Sequence, residues 1–222
     1  MTMTPEQIRQ MLSAEDFGDR IKAINQLRDI DPAEAFRLIQ PLCDDPNARV
    51  RYAAVSQIAT LGEQDKATAY KVLTASLGDP EADVQAAAAD ALGALKLTNS
   101  LEDLNELYGM TSEWLVKMSV VACLGEMGDS RAFELLKKAL ADDNSLISVA
   151  AIGALGELKD TRAIELLLPY ANDEDWQVRH RIAQALGQFY SQAEPDTSVT
   201  KALSTLAKDD SGIVAETAQS FL

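Results

Sequence analysis

The chain has 222 residues, of which 47% are hydrophobic but only 5% are aromatic. Ala and Leu carry most of the apolar weight, and because these residues favour helices over strands, the composition predicts an all-α protein. The formal net charge is −15, from 35 acidic and 20 basic residues. Such an acidic surface repels phosphate groups, which argues against nucleic acid or an anionic membrane surface as the partner.

Residues that commonly carry out chemistry are scarce. The chain has one histidine, His180, and two cysteines, Cys43 and Cys123, which lie too far apart for a C-x-x-C motif. We therefore expect no metal site, no disulfide framework and no catalytic residues, and the reducing cytosol is the predicted compartment. No apolar run reaches the ~18 residues of a membrane span, so membrane insertion is not expected.

A nine-residue pattern recurs seven times along the chain. We number each copy from its first residue, which we call the anchor. Apolar residues stand at the anchor and four, five and eight positions later, which is one face of a helix; Val50–Ile58 is a clear copy and Asp19–Leu27 a degenerate one. Successive anchors are 31 to 36 residues apart and stand at Asp19, Val50, Val84, Val116, Ile147, Val178 and Val214.

Each copy predicts two helices, of which the second carries the anchor. At the start of the chain, Thr4–Gln7 predicts a capping box with Pro5 in the first turn. Residues 129–136 and 160–167 are near duplicates that predict the beginning of a first helix. Five positions before the anchors stand residues of the types that cap helix N-termini, and we expect them to do so: Asp45, Asp79, Thr111, Asp142, Asp173 and Asp209.

Glycines recur near the predicted ends of the second helices. They are expected to act either as left-handed C-caps or as small packing residues, and they stand at positions 62, 93, 125, 156 and 187. Since one helix pair cannot bury its apolar face alone, the repeats should stack. The sequence predicts a single domain over 1–222, an α-solenoid of about seven two-helix repeats with a period of about 31 residues, in which 189–200 form a loop.

The repeat resembles the short HEAT repeats of the phycobilisome lyase family. Residues 79–93, DPEADVQAAAADALG, carry the likeness most clearly. Longer stretches are similar to one cyanobacterial branch of that family, which holds the NblB-type phycobilisome degradation proteins; these stretches are 50–57, 113–119, 166–170 and 174–181. The same branch holds a HEAT protein that partners an A-type iron–sulfur scaffold.

The resemblance implies a role in handling phycobiliproteins, the light-harvesting proteins that carry open-chain tetrapyrroles on cysteines. It implies phycocyanin or allophycocyanin subunits as partners, a protein adaptor of antenna degradation as a further one, and association with thylakoid-bound phycobilisomes. No tightly bound cofactor is expected, only transient contact with phycocyanobilin. The family offers no invariant catalytic motif that can be transferred to this chain residue by residue.

The exposed positions of the second helices are the predicted contact surface. One and two positions after the anchors, Arg51, Lys117 and Arg179 form a cationic row beside Tyr52 and His180. This row predicts contact with tetrapyrrole propionates or with an acidic loop of a partner. The alternative is that Arg51 and Arg179 form ion pairs with Asp79 and Asp209 of the next repeat, a common use of such arginines.

Aromatic residues stand two positions before three of the anchors, namely Phe17, Trp114 and Trp176. Trp114 and Trp176 are candidate contacts for a bilin or a partner protein, because flat aromatic rings stack well and are enriched in binding hot spots. The alternative is that each indole covers a gap between repeats. His180 is either a proton donor to a bilin or simply solvated.

Several other residues are interpreted as structural. Cys123 falls on the buried face, and Cys43 precedes two acids that would raise its thiol pKa. Arg131 and Arg162 are read as residues that form ion pairs between repeats. Three acids that are expected to follow the second helices, Asp90, Glu126 and Glu157, are read as merely solvated.

Three functions remain open at the sequence level. The first is a binding protein that grips phycobiliproteins or their bilins and assists phycobilisome disassembly or chromophore detachment. The second is a subunit of a bilin lyase, in which the reacting thiol belongs to the substrate subunit. The third is a scaffold for an A-type iron–sulfur carrier. The residue inventory offers no pair of nucleophile and base, which favours the first.

Overall fold

A computed structural model describes residues 4–190 and 196–222. Over these residues the chain forms fourteen α-helices and six 3-10 helices and contains no strand. The chain divides into two compact units, residues 1–120 and 121–222, with the division inside one helix. The all-α prediction is confirmed.

The first unit contains seven complete α-helices and the start of an eighth. The helices are α1 (Pro5–Met11), α2 (Phe17–Gln26), α3 (Pro32–Ile39), α4 (Ala48–Leu61), α5 (Lys66–Ser76), α6 (Ala82–Ala94), α7 (Leu101–Met110) and α8 (Trp114–Met127). Short 3-10 helices lie at Leu27–Asp29, Gln40–Asp44, Gly62–Gln64 and Thr98–Ser100.

The second unit contains the end of α8 and six further α-helices. These are α9 (Phe133–Leu140), α10 (Ser145–Leu158), α11 (Arg162–Leu167), α12 (Trp176–Tyr190), α13 (Thr197–Leu206) and α14 (Gly212–Gln219). Its 3-10 helices lie at Ser130–Ala132 and Leu168–Asn172. The predicted loop 189–200 is too long, since α12 continues to Tyr190 and α13 begins at Thr197; its centre, 191–195, lies outside the described residues.

The helices form seven consecutive pairs in the described ranges, and the even-numbered helix of each pair carries the anchor. Within each unit, successive even-numbered helices pack side by side, α2 on α4 on α6 and α10 on α12 on α14. The seven repeats of an α-solenoid are therefore present as predicted. The predicted capping box also forms, with the Thr4 hydroxyl accepting from the Gln7 amide and the Gln7 side chain accepting from the Thr4 amide.

The apolar face of each second helix is the core. In α4 the anchor Val50 and the residues four, five and eight positions later, Ala54, Val55 and Ile58, are completely buried. The same four positions are buried in α6, α8 and α10. The pattern weakens at both ends of the array, where Asp19 is half-buried and Leu222 is 51% exposed.

The six residues five positions before the anchors do not cap the second helices directly. The N-cap of α4 is Asn47, and that of α10 is Asn144, each two positions after the predicted residue. Instead, each of the six side chains accepts a hydrogen bond from the amide two residues further on, at 2.8 to 3.1 Å. The predicted caps therefore form tight side-chain turns that lead into the helices.

Glycines in the second helices serve close packing rather than left-handed caps. A Cβ at Gly125 would lie 2.6 Å from the Cα of Ala154, and one at Gly156 would lie 2.7 Å from the Cα of Ala185. The left-handed positions come later, twelve residues after the anchor, at Lys96, Gly128 and Lys159. The second helices thus continue past these glycines because the missing side chain lets the neighbouring helix approach.

We predict opposite effects for two glycine-to-alanine changes in α10. Gly156→Ala places a methyl group against the backbone of α12, and such overpacking costs about 1–3 kcal/mol. Gly153→Ala is the control, since its Cβ would meet only the flexible Arg181 side chain at 3.6 Å; it should gain up to about 1 kcal/mol from helix propensity. Thermal unfolding should show a lower Tm for the first variant and an unchanged or higher Tm for the second. Equal Tm values would contradict the packing interpretation.

Candidate functional site

Arg51 joins the second repeat to the third. Its Nε and Nη2 donate to the two carboxylate oxygens of Asp79 at 2.7 and 2.8 Å, and its Nη1 donates to the carbonyl of Asp45 at 3.0 Å. The Arg51 side chain is only 13% exposed. This bidentate pairing of a guanidinium with a carboxylate is geometrically specific and stronger than a single neutral hydrogen bond.

Arg179 makes the same arrangement between the sixth and seventh repeats. Nε and Nη2 bind Asp209 at 2.7 and 2.8 Å, Nη1 donates to the carbonyl of Asp173 at 2.8 Å, and Nη2 also reaches Asp210 at 2.8 Å. In the first repeat, Arg20 pairs with Asp45 and with the carbonyl of Ala14. We call these three pairs, Arg20–Asp45, Arg51–Asp79 and Arg179–Asp209, the inter-repeat clamps.

The clamps bear out the ion-pair alternative for the cationic row. A ligand that used Arg51 or Arg179 would have to displace a carboxylate with ideal geometry, so neither guanidinium is available without opening a turn between repeats. Where the row lacks arginine, Gln85 keeps only the bond to the carbonyl of Asp79, at 2.8 Å. Lys117 places its ammonium 5.3 Å from the ring centroid of Tyr108. A binding role for these row residues stays a prediction.

Arg131 and Arg162 each form an ion pair within their own repeat. Each pairs with the aspartate two residues earlier, Asp129 or Asp160, which also accepts the backbone amide of the arginine. Arg162 does reach the preceding repeat, but through a ring, since its guanidinium lies 4.0 Å from the centroid of Phe133. The aspartates at these first-helix starts neutralise the cations that the helix dipole would otherwise disfavour.

The aromatic candidates are accessible. Tyr52 is 49% exposed, Trp114 46% and Trp176 43%, so each ring is partly packed and partly presented to solvent. Phe17, at the same repeat position, is 38% exposed and lies 6.0 Å from the Arg49 guanidinium. Each tryptophan is thus partly covered by the protein and partly accessible, and its contact with a bilin or a partner protein stays a prediction.

His180 is half-buried, and it has a specific neighbour. Its Nε2 lies 3.1 Å from the hydroxyl of Thr217 on α14, so the imidazole links the sixth and seventh repeats. The ring is therefore not simply solvated. Its role as a proton donor to a bilin stays a prediction.

Both cysteines are buried, as was expected for Cys123. Burial, and next to it the charge of Asp44, raise the pKa of the Cys43 thiol to about 12. At neutral pH the thiol is thus protonated and a poor nucleophile.

Two of the acids that were read as solvated interact with their neighbours. Crowding by surrounding protein atoms raises the pKa of Asp90, although water still reaches the carboxylate; a hydrogen bond from Ser119 opposes the shift. Partial burial, and then repulsion from Glu126, raise the pKa of Glu157, while Arg181 acts in the opposite direction. Spacing alone does not reveal these shifts, because they come from neighbouring helices.

Two exposed apolar residues were missed at the sequence level. Leu146 in α10 and Ile213 in α14 are 53% and 49% exposed. Each stands one position before its anchor, next to the position that Trp176 occupies in α12. Aligning apolar residues at that position as well would have revealed them.

Among the described residues, no group of three or more His, Cys, Asp or Glu side chains is arranged to hold a metal ion. None of the described helices combines the length and the apolar character needed to cross a membrane.

Comparison with known proteins identifies the repeat. The family described as HEAT repeats matches residues 5–77, 70–149 and 142–222, which together span almost the whole chain. No protein of curated function has a significantly similar sequence.

Solved structures with similar folds come from several sources. A chain in the complex of CpcE and CpcF of phycocyanin lyase from Nostoc sp. PCC7120 is 21% identical, with a TM-score of 0.66, over 100% of this chain and 96% of that chain. The Escherichia coli protein YibA is 18% identical, with a TM-score of 0.69, over 97% and 80%. An archaeal HEAT-like repeat protein from Thermococcus onnurineus is 12% identical, with a TM-score of 0.59, over 99% and 95%. At these identities the likeness establishes the fold alone.

We predict that the Arg179–Asp209 clamp makes stability depend on pH. The arginine holds the pKa of Asp209 at about 2, below the ordinary value of about 3.9 for an aspartate. The clamp's contribution should be complete above about pH 4 and be lost as the pH falls toward 2. In Arg179→Gln the Tm should be lower at pH 7 and should fall less between pH 4 and pH 3 than in the wild type.

Lys208→Gln is the matched control, because it makes the same change in net charge on an exposed residue of the same unit. Its Tm should follow the wild-type profile. If Arg179→Gln and Lys208→Gln had the same profile, the clamp would not be the cause.

Proposed function

Because the chain belongs to the HEAT-repeat family, whose stacked helices present long binding surfaces, we propose that it is a binding protein for phycobiliprotein subunits, their bilin chromophores, or both. In this role it assists phycobilisome disassembly or chromophore detachment. The NblB-type degradation proteins, to which stretches of the sequence are similar, are the specific class proposed.

The observation that carries the proposal is the end-to-end match to a chain of the phycocyanin lyase complex. The match covers 100% of this chain and 96% of the other, so it extends over both chains rather than over a shared fragment. The other chain belongs to a complex that acts on phycocyanin, and this match supports the same substrate class here.

The second helices supply the proposed contacts. Tyr52, Trp114 and Trp176 present partly exposed rings, which suit stacking on a planar tetrapyrrole or burial in a protein interface. His180 and Lys117 lie on the same helices as two of these rings, in α12 and α8 respectively. Arg51 and Arg179 support the surface by fixing neighbouring repeats rather than by meeting the ligand.

A bilin lyase subunit is the alternative function, and the same structural match favours it. In either function the reacting thiol would belong to the phycobiliprotein subunit, because the Cys43 thiol is buried with a pKa of about 12 and Cys123 is buried as well. The protein's contribution would be to hold the subunit and the bilin in position.

We predict that the purified protein forms a complex with holo-phycocyanin on gel filtration or changes the absorbance spectrum of free phycocyanobilin. Loss of covalently bound bilin from holo-phycocyanin would indicate detachment, whereas attachment of bilin to apo-phycocyanin would indicate lyase activity. Neither a complex nor a spectral change with any of these probes would overturn the proposal.

The contribution of the rings can be tested in the same assays. Tyr52→Ala and Trp176→Ala should each weaken binding about tenfold, as expected for aromatic hot spots. Met110→Ala is the control, since Met110 is 77% exposed but lies at the end of the first helix α7. Equal weakening by the control would point to a general effect on stability, which Tm would reveal.

A further inference from the structure

The large exposed apolar side chains are concentrated at two adjacent positions of the repeat, one and two residues before the anchor. In the described residues they number eight, and five of them are the first or second residue of a second helix: Phe17, Trp114, Leu146, Trp176 and Ile213. Leu146, Trp176 and Ile213 occupy these positions in three consecutive repeats of the second unit, Trp176 two residues before its anchor and the other two one residue before theirs. We call these three residues the apolar row.

The helices that carry the apolar row are held in register. Helix α10 packs on α12, where Gly156 meets Ala185, and α12 packs on α14. The Arg179–Asp209 clamp holds the turn before α14 against the first turn of α12. His180, the next residue of α12, contacts Thr217 of α14. Since the three helices are aligned by these contacts, their first turns are neighbours along one edge of the unit.

Acidic residues surround the apolar row. Residues 142–147, 173–178 and 209–214, which include the first turns of the three helices, contain seven Asp or Glu and no Lys or Arg. Four of these carboxylates are exposed, namely Asp143, Glu174, Asp175 and Asp210. The opposing positive charge is about half a unit at each of the three helix N-termini, together with Arg179 and the adjacent Lys208. It does not balance the seven carboxylates, so the edge is negative.

We propose that this edge is a docking surface for a basic amphipathic protein segment, whose apolar side chains would cover Leu146, Trp176 and Ile213 while its Lys or Arg side chains meet the acidic rim. Charge complementarity selects this occupant. Anionic lipid and nucleic acid are repelled by the rim, and a second copy of the chain would bring acid against acid. The inference does not depend on bilin or phycobiliprotein binding.

The test uses defined peptides. The probe is a labelled helical peptide of about 18 residues, five turns of helix, with Leu on one face and Lys on the other. One matched peptide carries Glu in place of Lys, and another has the same composition in scrambled order. Fluorescence anisotropy should show binding of the first peptide at least about tenfold tighter than binding of either matched peptide.

Two pairs of protein variants locate the binding. Leu146→Ser/Trp176→Ser/Ile213→Ser should weaken binding of the Leu/Lys peptide at least about tenfold, whereas Met110→Ser/Leu222→Ser, which removes two exposed apolar residues elsewhere, should not. Asp143→Asn/Glu174→Gln should weaken binding more than Glu134→Gln/Glu165→Gln, which removes the same charge from the first helices α9 and α11. Far-UV circular dichroism and Tm confirm that the variants fold.

The contrary results are equally defined. Equal binding by the triple variant would mean that the peptide is held by net charge alone, and equal binding of the Glu peptide would remove the acidic rim from the interface. A concentration-dependent dimer in sedimentation, abolished by the triple variant, would show that the row is covered by a second copy. Each of these results would overturn the proposal. Because Trp176 belongs to both surfaces, the proposed phycobiliprotein function is tested separately, by the binding of holo-phycocyanin and by Tyr52→Ala.

Discussion

Each helix pair in this protein has an apolar stripe that it can cover only with the neighbouring pair. The four buried positions of α4, α8 and α10 are filled by Val, Ala, Ile and Leu. These few side chains cannot form a core within one helix pair. Burial therefore requires that second helices approach one another closely, and the glycines at the points of contact permit that approach. Surface features follow from this constraint, because residues on the opposite face of the second helices cannot be covered by the repeat itself.

Charge is arranged to serve the turns between repeats. The Asp residues before the second helices accept backbone amides, and three of them also hold an arginine of the preceding repeat. A strongly acidic chain thus places many of its carboxylates where the helix starts need acceptors. The two arginines of the cationic row, Arg51 and Arg179, are engaged in the same turns, whereas Lys117 lies beside the Tyr108 ring. The exposed aromatic and aliphatic side chains are therefore the main accessible binding groups.

The sequence predicted the period, the number of repeats and the buried face, because these depend on hydrophobic spacing alone. It misplaced the N-caps by two residues. An Asp five positions before the anchor can accept the amide of a side-chain turn as well as that of a helix N-cap, and both motifs use the same residue types. It read Arg131 and Arg162 as links between repeats and did not show that each also pairs with the aspartate two residues earlier. Sequence spacing alone does not show which of several nearby carboxylates an arginine pairs with.

The candidate site was less predictable than the fold. The pairing of Arg51 with Asp79 was foreseen as an alternative because arginine and aspartate recur at the same two positions in every clamped repeat. The contact of His180 with Thr217, in contrast, joins residues 37 positions apart without a repeated pattern. Leu146 and Ile213 escaped notice because an isolated exposed leucine or isoleucine is ordinary on a protein surface. Only their alignment in consecutive helices makes them a surface.

The two glycine contacts of the second unit have a consequence for how such a chain can grow. Gly125 meets Ala154 and Gly156 meets Ala185 with nearly the same spacing, so the two faces of the fifth repeat present matching surfaces. A tandem duplication of residues 129–159 would place each new glycine opposite an alanine that is already suited to it. Arrays of different length could therefore arise by unequal recombination without a new interface having to evolve.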